Sequence, residues 1–472
     1  MKLCYCALVS FLLVLTGTAL GADTLFNAQV AYSVGTFPTD VTTGDFNGNG
    51  DSTDIAVCNM WDNNVTVLMA QGDSSYASGV NYNTTSVPWG VVAVDIDTSG
   101  YFDIVTANKG SDNISLLLNE GDGTFANAVY FNAGTEPYSI CAGDFDGDTL
   151  VDVAVANHGS DNLSVFLNNG DSTFAAAVNY ACGDGPYYII AADLKGRDTL
   201  DLVVVNELDD NITIWFGDGD GTFSGDTTYA VGDRPLCVHA GDLNGDGHLD
   251  LVTANNNDDS IKVLFNDSVA IFDSTLAYAV GDGPFAVYIA DYDKSDTADI
   301  AVANYSDNNI TILQSFGGLF DSTSTYSTST KPYALEGSDL DADADIDLLV
   351  VNYGSKSVGW LKNTTTLAVS ADDDAGEVLP DSYSLEQNYP NPFNPSTTIE
   401  YSLPEQADVE ISIYNLIGQR VSTIVDEEKP SGSYSVTWDG SDENGKPVAT
   451  GIYFYRLKAG SIQETRKMML LK

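Results

Sequence analysis

Seven times along the chain an aspartate opens a short acidic loop that closes on another aspartate. Between them, oxygen-bearing side chains recur at alternate positions. The sets are Asp45, Asn47, Asn49 and Asp54; Asp95, Asp97, Ser99 and Asp103; Asp144, Asp146, Asp148 and Asp152; Asp242, Asn244, Asp246 and Asp250; Asp291, Asp293, Ser295 and Asp299; and Asp339, Asp341, Asp343 and Asp347. A seventh, Asp193 to Asp201, carries Lys195 and Arg197 at its third and fifth positions. The pattern D-x-[DN]-x-[DNS]-G-x-x-D points oxygens from positions 1, 3, 5 and 9 at one centre, allows a tight turn at 6 and leaves the carbonyl of 7 available. Such a set of hard oxygens suits Ca²⁺ rather than Mg²⁺ or a thiophilic metal. Of the 55 aspartates, 25 lie in these windows, and crowded carboxylates raise one another's pKa unless a cation is present. Asx-rich turns that hold no ion are the plainer alternative.

The loops differ. The fifth is complete and the third lacks only the glycine, so both are expected to bind. The second, sixth and seventh keep enough oxygens to be sites, while the first has an extra residue that moves Asp54 to the tenth position. In the fourth, two cations stand where ligands would be and are expected to neutralise Asp193 and Asp201, so no calcium is expected there. Five or six structural Ca²⁺ ions follow, in the range of about 10⁻⁴ to 10⁻³ M that extracellular modules use.

These loops require a scaffold that repeats with them. Their first aspartates are 50, 49, 49, 49, 49 and 48 residues apart, and Pro38, Pro88, Pro137, Pro186, Pro235, Pro284 and Pro332 each precede them by seven residues. A fixed period of this length means a solenoid or propeller. Each unit holds four short β-type runs, in the third unit 138–143, 151–156, 163–167 and 175–180, separated by Gly, Asn and Asp. Four strands per repeat is a propeller blade. The last unit stops after its third strand, and residues 26–32 form an unattached fourth. They are expected to complete the last blade and close the ring.

Composition narrows the partners. The chain has 472 residues, 18 Lys plus Arg against 68 Asp plus Glu, and a formal charge of −50, which disfavours nucleic acid and anionic membranes. Lys2, the apolar run 3–15 and the small residues at 19–22 read as a secretory signal peptide over 1–22. No later stretch has membrane length. Cys58, Cys141, Cys182 and Cys237 fall within strands and are expected to be buried free thiols rather than a disulfide framework.

The carrying residues 242–250, the Gly-Asp-Gly-Thr-Phe of 121–125 and 219–223, and the Gly-x-x-Pro before five of the seven inner strands resemble the FG-GAP/VCBS repeat family, which includes the integrin α-subunit head. The resemblance covers about 24–363 and implies a seven-bladed β-propeller. After a break at 363, alternating strands are expected at 397–402, 409–414, 419–425, 434–438, 451–457 and 464–471, a small immunoglobulin-like β-sandwich. Tyr389-Pro390-Asn391-Pro392-Phe393-Asn394-Pro395, with Trp438-Asp439-Gly440 and the basic end Arg466-Lys467, resembles the type A sorting domain of the type IX secretion system, a FlgD-like immunoglobulin fold. That resemblance implies export to the medium or outer surface of a Gram-negative bacterium. The expected organisation is an all-β chain: signal peptide 1–22, propeller 23–363, linker 364–381 and sorting domain 382–472.

An aromatic residue follows the repeat proline in five units: Trp89, Tyr138, Tyr187, Phe285 and Tyr333. They could form a stacking platform for sugar or peptide, though the preferred reading is that they plug the hub. Three histidines out of register, His158, His239 and His248, and nine Lys plus Arg in the propeller give little support for catalysis. The recurring Asn-x-Ser/Thr at Asn113, Asn162 and Asn211 reads as hairpin chemistry. The function expected is a non-catalytic, calcium-braced module that binds an extracellular protein or carbohydrate. A polysaccharide-active enzyme and a structural surface-layer component are the alternatives.

Overall fold

The computed structural model describes residues 25–365, less 51–52, 73–74, 268–269, 273, 296 and 317–318, and residues 383–385, 388, 396–404, 406–415, 419–443, 446, 448–459 and 462–470. The signal-peptide reading, most of the linker, and the motif residues 389–395 lie outside them. The chain divides into two compact units, Met1–Leu367 and Ala368–Lys472.

The first unit is a ring of seven four-stranded antiparallel sheets, the blades of a β-propeller. Blade 3 is typical, with Pro137–Gly143 innermost, then Asp152–Asn157, Asn162–Phe166 and Val178–Ala181. Second strands such as DVAVAN, DLVVVN and DIAVAN are buried at every residue. A sheet covered on both faces takes such uninterrupted apolar runs. Outer strands read VAYS, VNYN, VYFN and VNYA, and only their third residue is shielded, so the rim is polar and ends each sheet against solvent. In blade 3 this strand begins later than expected, at Val178, because Phe174 first bridges to Asn168 and buries its ring beside Phe131 and Phe166. Val30–Ser33 pairs antiparallel with Ser357–Leu361, and Phe26 bridges to Asn363, so the start of the propeller completes its last blade. That pairing leaves no sheet open for the ring to slip at.

In all seven inner strands the register shifts between the proline and the residue two further on. The bulge drops one residue out of the ladder and re-aims its side chain. That residue is the aromatic one in five blades. The residue before each proline has a positive φ, including non-glycines Phe37, Val87, Glu136, Arg234 and Lys331. In six blades its amide is held by an Asp or Asn of the preceding blade: Glu136 N donates to Asp112 Oδ1 at 2.8 Å and Arg234 N to Asp210 Oδ1 at 2.9 Å.

The second unit is a small β-sandwich. Ser384–Leu385, Thr397–Leu403 and Gly432–Trp438 form one sheet, and Arg420–Lys429, Ala407–Asn415, Gly451–Ala459 and Ile462–Leu470 the other. They share a core of Ile399, Tyr401, Ile411, Ile413, Trp438 and Tyr455. Among the described residues the cysteines are free thiols, Cys58 and Cys237 buried and Cys141 and Cys182 half-buried. No helix is long and apolar enough to cross a membrane among these residues.

Candidate functional site

The acidic loops all sit where an inner strand passes to the second strand, at one face of the ring. In four of them the carboxylates of positions 1, 3 and 9 meet within 4.8 Å: Asp95, Asp97 and Asp103; Asp144, Asp146 and Asp152; Asp291, Asp293 and Asp299; Asp339, Asp341 and Asp347. The first and fifth loops place Asn47 and Asn244 at position 3, so an amide oxygen joins two aspartates there. Position 1 holds the turn by accepting the amides of positions 5 and 6, as Asp95 does from Ser99 at 3.0 Å and Gly100 at 2.8 Å. Position 5 turns the other way. Asp148 Oδ1 accepts from Leu150 N at 2.8 Å and Asp246 Oδ1 from His248 N at 2.9 Å, so positions 1, 3 and 9 form the tight carboxylate group and position 5 caps position 7.

Position 9 is the buried anchor. Asp54, Asp103, Asp152, Asp201, Asp250, Asp299 and Asp347 are all 0–1% exposed. One oxygen accepts the amide of position 2 and the other an amide at the end of the third strand, as Asp250 does from Leu243 at 3.1 Å and Asn266 at 2.8 Å. Burial pushes Asp103, Asp152 and Asp250 up to about 6, and Asp299 and Asp347 to about 7, with the neighbouring loop aspartates adding to the rise. A cation among these oxygens would reverse that penalty. The donor set is all hard oxygen, with a buried carboxylate short of compensating charge, and it fits Ca²⁺.

Two loops carry their own cations. In the fourth, Arg197 pairs with Asp201 at 3.2 Å, as expected from the sequence. Lys195 does not reach Asp193; its ammonium lies 3.2 Å from the centre of the Phe216 ring. In the seventh, Lys362 pairs with Asp341 and lies 3.4 Å from Asp343. Lys362 stands at the end of the third strand, so its approach to the loop is a tertiary contact. In the sixth, the equivalent Gln314 donates to Asp293 at 3.0 Å.

The asparagines that follow position 9 by sixteen residues escaped the sequence reading. Asn119, Asn168, Asn266 and Asn363 each donate Nδ2 to the position-2 carbonyl of the preceding blade's loop, at 2.8–2.9 Å. Each loop is thereby tied to its own blade and to the next. Their recurrence in register was the signal available. The hairpin asparagines are equally committed: Asn108, Asn157 and Asn206 donate to Asn113, Asn162 and Asn211 at 2.7–2.9 Å, so the Asn-x-Ser/Thr sequences hold hairpins.

At the opposite face the aromatic residues converge on the hub. Tyr138, Tyr187 and Tyr333 are buried, Trp89 and Phe285 half-buried, and the Tyr187 and Tyr333 hydroxyls meet at 2.7 Å across the channel. Their ring faces are occupied by one another, as in Trp89–Tyr138 at 4.6 Å and Phe285–Tyr333 at 4.1 Å. This is the geometry of a plug. The accessible chemistry surrounds it at the first residue after each second strand: Met60, Lys109, His158, Glu207, Asn256, Tyr305 and Tyr353, six of them half-exposed. Glu207 accepts from Arg234 at 2.8 Å and pairs with His158 at 3.1 Å, while Lys109 lies over the rings of Trp89 and Tyr138. On the other side the ring is aromatic, with Phe37 between Trp61 and Tyr353. Trp61 and Leu208, each 65% exposed, project beside it.

Two carboxyls lie in the channel. Burial, with the Asp40 charge adding, pushes Glu336 up to about 8, and burial pushes Asp40 to about 7 against the hydrogen bond from Val91 N. An acid whose folded pKa is raised favours the native state while protonated, and that contribution is lost as pH rises from the unfolded value through the folded one. Native stability in chelator is therefore expected to fall between about pH 4.5 and 8. Glu336→Gln, which cannot ionise, should flatten that slope in urea titrations. An unchanged slope would remove Glu336 from the account.

Fold and loops together define a β-propeller of acidic-loop repeats with an immunoglobulin-like C-terminal domain. Residues 98–155, 144–204, 193–253 and 242–302 match the FG-GAP-like repeat, and residues 394–462 match the FlgD Ig-like domain. The chain thus carries FG-GAP-like repeats and a FlgD Ig-like domain. No curated protein matches it. Among solved structures, BBS1N in complex with ARL6DN, soaked with mercury, is similar at 12% identity and TM-score 0.55, over 73% of this chain and 98% of that chain. The lead-soaked crystal of the same complex gives 12% and 0.53 over the same shares. At that identity the likeness is one of fold.

Proposed function

We propose that this protein is an exported, calcium-braced propeller that binds an extracellular protein or carbohydrate at its plugged face without catalysing a reaction. The observation that carries the reading is the ring of seven side chains of six kinds, Met60 to Tyr353, six of them half-exposed, held at equivalent positions around a packed hub. A rigid scaffold presenting dissimilar polar and aromatic groups side by side is a recognition surface, and exposed aromatic and arginine side chains are its usual anchors. BBS1N, which shares the fold, is in complex with ARL6DN, and we carry over to this chain the use of such a propeller as a protein-binding platform. Calcium is proposed at the second, third, fifth and sixth loops, with the first as a weaker fifth. Lys362 competes for the seventh and Arg197 for the fourth. The integrin-like resemblance supports an adhesive role, and the resemblance of residues 382–472 to type IX sorting domains supports export by that route to the medium or outer surface.

The test is selection of a phage-displayed peptide library on the calcium-loaded chain, followed by rebinding to a Trp61→Ala, Leu208→Ser variant. Both side chains are exposed, so the variant should melt as the native protein does, and selected peptides should bind it at least about tenfold more weakly. Clones that bind both proteins equally would remove this face from the proposal. Release of reducing sugar from polysaccharides, abolished by a single carboxylate substitution with calcium still bound, would favour the enzyme reading instead.

A further inference from the structure

The channel through the hub is not uniform along its length. At the plugged end the inner strands begin with aromatic rings and leave a free volume of about 30 Å³. Below the plug the space widens to a cavity of about 420 Å³, to which inner strands of all seven blades contribute. Past the plug several inner strands line the hub with small side chains, Thr42, Ala142 and Ala240, which leave it unfilled. The last three residues are partly exposed in blades 2, 3, 5 and 7. The cavity is thus closed by the plug and opens on the face that carries the acidic loops.

Its wall has two halves. Blades 5, 6, 7 and 1 contribute His239, Tyr288, Glu336 and Asp40, whereas blades 2 and 4 contribute Val92 and Ile190. Tyr288 is fixed in place: its hydroxyl donates to Gly337 O at 3.0 Å, and a Cβ at residue 337 would fall 2.3 Å from its ring. Its ring also lies 4.5 Å from His239. Asp40 spends one oxygen on Val91 N at 2.9 Å. Glu336 has no hydrogen-bond donor among the described residues, and no lysine or arginine lines the cavity. A carboxyl that lines a narrow channel, only partly exposed and given no partner, costs stability. The volume lies in the range of small-molecule sites.

We infer that this chamber is a binding site for a small organic cation, an ammonium group on a short apolar body. Glu336 and Asp40 would hold the charge, Tyr188 and Tyr288 would offer ring faces, and Val92 and Ile190 would take the hydrocarbon. The argument for an organic cation over a metal ion is the donor set. Asp40, Glu336 and His239 are not among the carboxylate and imidazole groups that meet within 4.8 Å, and half the wall is apolar, whereas calcium requires six or more oxygens. Entry is favoured electrostatically. A mouth ringed by seven acidic loops concentrates cations and repels anions.

The probe is n-butylammonium, titrated calorimetrically into the full chain. Saturating calcium occupies the loops, and about 0.15 M sodium chloride screens exposed carboxylates. One n-butylammonium per chain is expected, with no binding of n-butanol, its neutral counterpart. Glu336→Gln should weaken binding by about tenfold or more, and it should melt no lower than the native protein because it removes an acid that has no partner. Asp40→Asn supplies a second variant with the same expectation for binding. Absence of n-butylammonium binding, equal binding of butanol, or native affinity in both variants would each overturn the inference. Displacement by magnesium but not by tetramethylammonium would make the chamber a metal site and overturn it too.

Discussion

Replacing Asp250 with alanine is expected to cost about 3–5 kcal/mol of stability, even in the absence of calcium. The reason is the double role of position 9. Asp250 accepts the amides of Leu243 and Asn266, both in fully or nearly fully buried residues. Alanine would leave two buried donors without a partner, at about 1–3 kcal/mol each. Asn266 would also lose the bond that sets its side chain against Leu194 O of the previous blade at 2.8 Å. Asp250→Asn, with one acceptor oxygen, should fall between the two. Asp201→Ala in the fourth loop is the control. It removes acceptors for Leu194 N at 3.2 Å and Gly217 N at 3.0 Å, and so should lose a similar amount, with the same value in calcium and in chelator. Urea denaturation of the four proteins in both conditions separates the terms. A loss at Asp250 below about 1 kcal/mol in chelator would show that the buried clamp contributes little.

The second large effect is that of calcium itself. A ligand at ten times its Kd stabilises the native state by about 1.4 kcal/mol per site, so four occupied loops would add about 6 kcal/mol. For a propeller of this size that is a rise in Tm of about 8 °C. Calorimetry on the full chain should show four ions, with a weaker fifth from the first loop. Lys362→Met should add one more, since it frees Asp341 and Asp343 of the ammonium they now share. No heat of binding and coincident melting curves in calcium and chelator would leave the aspartates as turn residues alone. An unchanged stoichiometry in Lys362→Met would mean that the lysine is not what governs the seventh loop.

Much of the propeller was legible in residue order because its determinants are local and repeated. Asp45 to Asp339 mark the period, the prolines mark each inner strand, and second strands with an unbroken apolar run between Asp and Asn, such as DLVVVN, mark sheets covered on both faces. The ring closure by Val30–Ser33 followed from counting strands. The acidic loops were legible for the same reason: their oxygen-bearing positions lie within nine or ten residues of one another.

What escaped sequence reading lies across blades. Lys362 follows Asp341 by twenty-one residues, and only strand pairing brings its ammonium onto that carboxylate. Asn119 reaches Phe46 O, seventy-three residues earlier, because neighbouring blades pack with matched registers. The bulge after each proline turned Tyr187 and Tyr333 into a plug, and so moved the accessible surface outward to residues such as His158, Glu207 and Tyr353. The chamber follows the same rule. Asp40 and Glu336 stand at opposite ends of the propeller sequence and share one cavity only because the first and last blades are neighbours. The sequence alone determined the period, the strand types and the loop chemistry, since each depends on residues close together in the chain. Tertiary structure decided which carboxylates acquire a cation partner, which aromatics are spent in packing and where an unfilled space remains, since closing the ring sets those distances.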